Sequence, residues 1–325
     1  MADERFTQVV TDDLARIEVA LQRVAVAESP FVTAAARHVI DAGGKRFRPL
    51  LVVLGARLVA GAEEPLAFAP RLDMAALVVE LTHVASLYHD DVMDEAATRR
   101  GVASANVHYG NSVSILVGDY LFARASSLVA RLGTDYVARQ AETFAELVQG
   151  QIAETQGAPD GADPMAHYLS VLDGKTASLI ATSAVFGGMV AGLPPDQLDT
   201  LDHFGRELGL AFQLHDDLLD ITSDVTGKVP GADLRAGVAT LPVLLLTRTG
   251  VPEDQALYEH IQGRLSAAEA GQVLETLRRH AVIDLARAEV LDRARQARAL
   301  LGKLPDGPAN DALDELCGRL VERVD

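Results

Sequence analysis

Residues 74–94 read MAALVVELTHVASLYHDDVMD, and the spacing within this stretch decides the fold. Apolar residues recur three and four apart, which is the period of an α-helix. Met74, Leu77, Val78, Leu81, Ala85 and Tyr88 fall on one broad side and can serve a core. The other side reads Glu80, His83, Leu87, Asp90 and Asp94, so a helix that buries one face ends in carboxylates on the other. Asp90 and Asp94 are one turn apart and share that face, with Asp91 offset by about 100°.

The closing HDDVMD of this stretch (89–94) returns as HDDLLD at 215–220, again at the end of an apolar helical run, Asp199 to Asp220. In the second copy Phe212, Gln213, Asp216, Asp217 and Asp220 project in one general direction. Carboxylates this close repel one another and partly protonate unless a cation neutralises them. Oxygen donors with few His or Cys nearby suit Mg²⁺, which keeps waters and bridges to phosphate oxygens. A single cluster reads as a solvated helix end, but two, each closing an apolar helix, read as metal sites.

Working outward, the same period recurs at Val9–Val26, Ser112–Leu132, Arg139–Glu154, Ser266–Ala281, Asp284–Leu301 and Ala309–Val324. Alternating runs rich in Val, Ile and Thr are missing, so no sheet is expected. Turns fall at Ala42–Gly44, Gly61–Pro65, Gly157–Pro164, Gly192–Pro195, Gly227–Gly231 and Leu304–Pro308. No linker divides the chain, and residues 1–325 read as a single domain. Thr176–Leu193 carries no charge, which raises the question of a membrane span; Gly187-Gly188 and Pro194-Pro195 favour a helix buried in a bundle instead. Asp12-Asp13 and Asp314-Glu315 read as solvated helix faces, and Cys317 as a small buried group.

With 46 acidic against 29 basic residues the formal charge is −17, which repels nucleic acid and anionic lipid. The single cysteine excludes an internal disulfide framework, and the first residues lack a basic and apolar leader, so a cytoplasmic protein is expected. Against this acidic background the cations gather. Gly43-Gly44-Lys45-Arg46-Phe47-Arg48 sets three beside a glycine pair, and Arg99-Arg100-Gly101 follows the first acidic cluster. Lys175-Thr176 opens the uncharged run, where a helix N-terminus offers free N–H groups to an anion. Lys228 follows the second cluster. Carboxylates hold a diphosphate only through metal, and arginine forks add bidentate contacts to its oxygens. The combination points to a ligand with diphosphate groups.

At this point the chain resembles the all-trans polyprenyl diphosphate synthases. The resemblance rests on GGKRFRP (43–49), ELTHVASLYHDDVMD (80–94), RRG (99–101), GKTASLI (174–180), GLAFQLHDDLLD (209–220) and GKVPGADL (227–234). It implies the all-α isoprenoid synthase fold: one domain of roughly ten or more helices around a central cavity, working as a homodimer. It implies Mg²⁺, three per active site with substrate bound, on Asp90, Asp94 and Asp216. Asp220 belongs to the second metal cluster directly or through water, and Asp91, Asp217 and Asp233 support. Arg99, Lys175 and Lys228 would contact an allylic diphosphate, farnesyl or similar, while Lys45, Arg48, His83 and Arg100 would receive isopentenyl diphosphate. Thr176 and Gln213 would turn oxygen dipoles to the allylic cation. One departure stands out: where the family commonly has an acidic residue and a lysine before Thr-Leu-Pro, this chain has Ala236 and Val238.

In the family, bulky residues four and five before the first aspartate close the tail pocket. Here these are Ser86 and Ala85, both small, so a chain of roughly C30 to C50 for a quinone side chain is expected, to be handed to the membrane. A short-chain synthase making farnesyl or geranylgeranyl diphosphate and a class I terpene cyclase are the alternatives. An HD-type phosphohydrolase leaves GGKR unexplained, and a di-iron bundle lacks a second Glu-x-x-His. A regulatory subunit would be expected to lose aspartates.

Overall fold

The computed structural model describes residues 4–60, 68–223, 231–263 and 265–322. Helices dominate, in line with the periodicity, and they run from Glu4–Val24 to Pro308–Glu322. The contacts sort into two compact units, each assembled from separate stretches of chain. One comprises 1–145, 179–205 and 301–313; the other comprises 146–178, 206–300 and 314–325.

In the first unit, Ala69–Met93 is the central helix. It is buried nearly all round, with Leu72, Leu77, Leu81, Val84 and Tyr88 inside. Asn111–Leu132 packs along it, and Leu21, Val39, Ile40, Val117 and Leu121 complete that core. Pro30–Asp41 begins with Ser29 as N-cap, its hydroxyl accepting the Val32 N–H at 3.5 Å, and with proline at the first turn. The uncharged run forms Ser178–Ala191, and its glycines explain its composition. A Cβ on Gly187 would lie 2.2 Å from the Val52 carbonyl oxygen, and one on Gly55 would lie 2.5 Å from that of Ala184. The Phe47–Ala60 and Ser178–Ala191 helices therefore cross backbone to backbone, which no larger residue allows. Among the described residues, the helix long and apolar enough to cross a bilayer is a different one, Asn111–Leu132.

The second unit gathers around Leu210, Leu214, Leu218 and Ile221, spaced three and four apart on Pro195–Thr222. Against them pack Leu241, Leu246, Leu274, Leu277, Val282 and Val290.

Two readings change. Asp13 is not solvated: it is 4% exposed and accepts from Arg57 Nε at 2.9 Å, with Arg16 as a second partner at 2.7 Å. A buried Arg–Asp pair leaves no trace in helical periodicity, because both residues are polar wherever they point. A minimal antiparallel ladder also exists, pairing Thr98 with Ala103 and Arg99 with Val102. It is too short to show alternation. Its code is the turn, where Arg100 and Gly101 take φ of 52° and 81°, the conformation of a two-residue hairpin loop.

Candidate functional site

The acidic end of the central helix comes first. Asp94 is its C-cap and is exposed, Asp90 is half-buried, and Asp91 is wholly buried. Arg99, projected by the short hairpin, donates from Nε to Asp91 Oδ1 at 2.7 Å. Asp91 Oδ2 is buried and accepts no hydrogen bond among the described residues. Negative charge at a helix C-terminus opposes the helix dipole, so three carboxylates there are a standing cost unless a cation arrives. The donors are all oxygens and one is unsatisfied, which fits a hard divalent cation. Among the described residues no three His, Cys, Asp or Glu side chains converge into a complete cage.

Beside this end lies the basic set. Arg46 donates to Glu18 at 2.6 and 2.9 Å, to Glu80 at 3.0 Å and to the Ile40 carbonyl at 3.0 Å. It is thereby committed to holding Glu4–Val24 and the central helix together. Arg48 is different. Its Nε is buried with no partner, and burial lowers its affinity for the proton to a pKa of about 10, Glu80 opposing this and Arg100 adding to it. His83 is pushed well below its usual value, first by burial and then by Arg48, Arg100, Arg99 and Arg46 in turn. It is therefore a neutral imidazole among guanidinium groups. Arg100 donates to the Val39 carbonyl at 3.0 Å and to that of Gly43, and a Cβ on Gly44 would sit 3.0 Å from its guanidinium carbon. Burial lowers its pKa too. Lys45 is exposed at the edge of this group. Arg46, Glu95 and Arg100 hold φ of 47°, 50° and 52°, a left-handed strain that costs each about 1 kcal/mol or more. Among the described residues Arg48 Nε has no hydrogen-bond partner, and Glu80, whose charge acts on both Arg48 and Arg100, is already bonded to Arg46, so an anionic ligand relieves them.

In the second unit, the position of Lys175 corrects the sequence reading. It does not open a helix. Pro164–Leu172 runs through a π-helical turn, Asp173–Ala177, into Ser178–Ala191, with the Ser178 N–H bonded five residues back to Asp173. The expected free N–H groups are therefore taken up. The wider turn lies against a neighbouring helix. A Cβ on Gly150 would lie 2.6 Å from the Lys175 backbone nitrogen, so the Thr134–Gln156 helix touches the turn directly. We expect Gly150→Ala to lose roughly 1–3 kcal/mol, read as a lower denaturant midpoint at unchanged slope. Lys175 donates to Glu154, a partner without any signal in the sequence, and Thr176 is half-buried in the same turn.

Of the second cluster, Asp216 is exposed and Asp217 is buried. Gln213 Nε2 donates to Asp217 Oδ1 at 3.0 Å, and the Tyr168 hydroxyl donates to Oδ2. Asp220, expected with the metal ligands, accepts the N–H groups of Ala232 and Asp233 at 3.2 and 3.3 Å and so anchors the segment after the cluster. Lys228 lies outside the described residues. A cavity of about 510 Å³ is lined by Tyr168, Gln213, Asp217, Asp233, Val238 and Tyr258 among others. Val238 thus stands on a cavity wall where the family pattern has a cation.

Helices that end in aspartate pairs, with a cluster of guanidinium groups beside one of them, define a helical enzyme that handles diphosphates. The chain matches the family described as polyprenyl synthetase over residues 29–278, and it belongs to that family. It is an all-α prenyltransferase of the isoprenoid synthase fold. A nonaprenyl diphosphate synthase of Mycobacterium tuberculosis is 41% identical over 99% of this chain and 96% of its own. The crystal structure of a decaprenyl diphosphate synthase from Rhodobacter capsulatus superposes with a TM-score of 0.88 at 34% identity, covering 99% of both chains. A geranylgeranyl pyrophosphate synthase of Corynebacterium glutamicum, crystallised with calcium and isoprenyl diphosphate, gives 0.87 at 42% identity, covering 99% of this chain and 98% of that one. Family membership sets aside the cyclase, phosphohydrolase and di-iron readings.

Proposed function

We propose that this chain joins isopentenyl diphosphate to an allylic diphosphate, farnesyl or similar, and extends it to an all-trans polyprenyl diphosphate of roughly C30 to C50 for quinone side chains. The observation that carries the proposal is the set around His83: Arg48 Nε is buried without a hydrogen-bond partner among the described residues, and Arg48 and Arg100 share the pull of Glu80, which is already bonded to Arg46, in a protein of charge −17.

In this reading Arg48, Arg100, Lys45 and neutral His83 hold the diphosphate of isopentenyl diphosphate. Arg99 and Lys175 exchange their carboxylate partners, Asp91 and Glu154, for oxygens of the allylic diphosphate. Asp90, Asp94 and Asp216 would hold Mg²⁺, with Asp220 behind them. Three such ions, when bound, neutralise the charge that develops on the departing diphosphate. Thr176 and Gln213 offer oxygen dipoles to the allylic cation, and the apolar walls keep water from quenching it.

Product length is supported by the small, buried pair Ala85 and Ser86, and by the nonaprenyl and decaprenyl relatives. A specific observation favours a shorter, C20 product as the second reading. Two turns below Asp90 on the same face, Thr82 Oγ1 accepts from Gln140 Nε2 at 3.4 Å, while Gln140 Oε1 is buried without a partner. This polar crossing opposes a hydrocarbon tail, although one long hydrogen bond restrains it weakly. Incubation with farnesyl and isopentenyl diphosphates, followed by mass spectrometry, decides. Products beyond about C30 support the first reading, and a stop at C20 supports the second.

The same proposal includes a homodimer in the cytoplasm that releases its product to the membrane. Leu116, 66% exposed, and its neighbour Ile115 leave apolar side chains open on the Asn111–Leu132 helix, available to a second copy.

A further inference from the structure

Tyr168 received no attention in the sequence, yet it links two functional segments. It stands on Pro164–Leu172, seven residues and therefore two turns before Lys175 on the same continuous rod. Its hydroxyl bonds Asp217, the immediate neighbour of Asp216 on Pro195–Thr222. Asp217 is 4% exposed, and both of its oxygens are engaged, one by Tyr168 and one by Gln213. The rods have another tie, Arg206 to Asp173 at 2.9 Å, but it lies three turns earlier on the acidic helix. Tyr168 is the tie at the acidic end. Burial keeps its phenol well above the usual range, so it remains a donor at working pH.

We propose that Tyr168 is a positioning residue: it holds Asp217 back, so that Asp216 alone offers its carboxylate to a metal-bound diphosphate, in register with Lys175. This rests on the reading of the second acidic cluster as a metal site. Without the hydroxyl, Asp217 loses the donor that fixes its carboxylate and turns toward its neighbour. That changes the geometry offered to the cation.

The test is Tyr168→Phe in the full chain, which removes one oxygen from a packed ring. The first readout needs no catalysis: the rise in melting temperature on adding Mg²⁺ with inorganic diphosphate. We expect the unliganded variant to melt within about 4 °C of the parent, and the ligand-induced rise to fall by at least about half. In steady state, the Mg²⁺ needed for half-maximal turnover should increase about tenfold, with KM for isopentenyl diphosphate unchanged. A variant that responds to Mg²⁺ and diphosphate as the parent does overturns the proposal. So does one that loses kcat at an unchanged Mg²⁺ requirement, since that is a merely structural effect. Should the variant not fold, Asp217→Asn and Asp217→Ala give the same decision. Asparagine still accepts from Tyr168, so it must retain most of the thermal response that alanine loses; equal loss in both refutes the idea. A parent protein without any thermal response sinks the metal site itself, whereas failure to elongate farnesyl diphosphate would sink only the proposed reaction.

Discussion

Asp90→Ala should reduce turnover by about three orders of magnitude, roughly 4 kcal/mol of lost transition-state stabilisation, in a protein that melts close to the parent. The two halves of this expectation have separate causes. Asp90 is half-buried in the last turn of Ala69–Met93, where its charge opposes the helix dipole and adds to that of Asp91 and Asp94. Removing it relieves repulsion, and alanine is the better helix former. The stability change should therefore stay within about 1 kcal/mol. Catalysis has no such compensation. A cation that keeps several waters depends on each protein oxygen it does use, and the neighbouring Asp91 is wholly buried. Single-turnover measurements with saturating farnesyl and isopentenyl diphosphates, alongside a thermal melt, read both halves. Activity within tenfold of the parent would remove Asp90 from the role assigned to it.

The sequence made the first acidic helix readable because one 3.6-residue pattern carries both its core face and its carboxylates. The recurrence of His-Asp-Asp at 215–217 then gave the second site independently of any structure. What it hid follows a common cause. Arg46 and Arg48 sit two residues apart in one motif, yet Arg46 neutralises Glu18 and Glu80 while Arg48 retains an unpartnered nitrogen. Only the fold decides which carboxylates come near. The π-turn at Asp173–Ala177 was misread as a helix start for the same reason. Gly150, some twenty-five residues away in sequence, lies directly against the Lys175 backbone, a contact that no local pattern announces. Tyr168 and Glu154 belong with these, since each is an ordinary helix residue until its partner is in place.

Ser86→Phe should shorten the product from above about C30 to about C15–C20. Ser86 is one turn before Asp90 and shares its face, 9% exposed, with its hydroxyl turned back to the His83 carbonyl at 2.8 Å. That internal hydrogen bond means the serine makes no demand on whatever lies in front of it, so a growing tail passes it freely. A phenyl ring at the same Cβ projects toward the preceding turn, as long side chains on helices do, and covers the face between Asp90 and Thr82. The tail would meet the ring before it reached Gln140. Each isoprene unit needs about one helical turn of length, so a barrier one turn down stops the chain two or three units earlier than a barrier placed deeper. The first condensation involves only atoms near the diphosphates, so consumption of isopentenyl diphosphate in the first turnover should stay within about tenfold of the parent. Ser86→Leu, with less reach, should give intermediate lengths. Both variants are read by mass spectrometry of the released diphosphates, with a melt to exclude overpacking, which costs about 1–3 kcal/mol in a tight core. An unchanged product distribution in a folded Ser86→Phe protein would show that the tail leaves the diphosphate along another path, not down the face of Ala69–Met93.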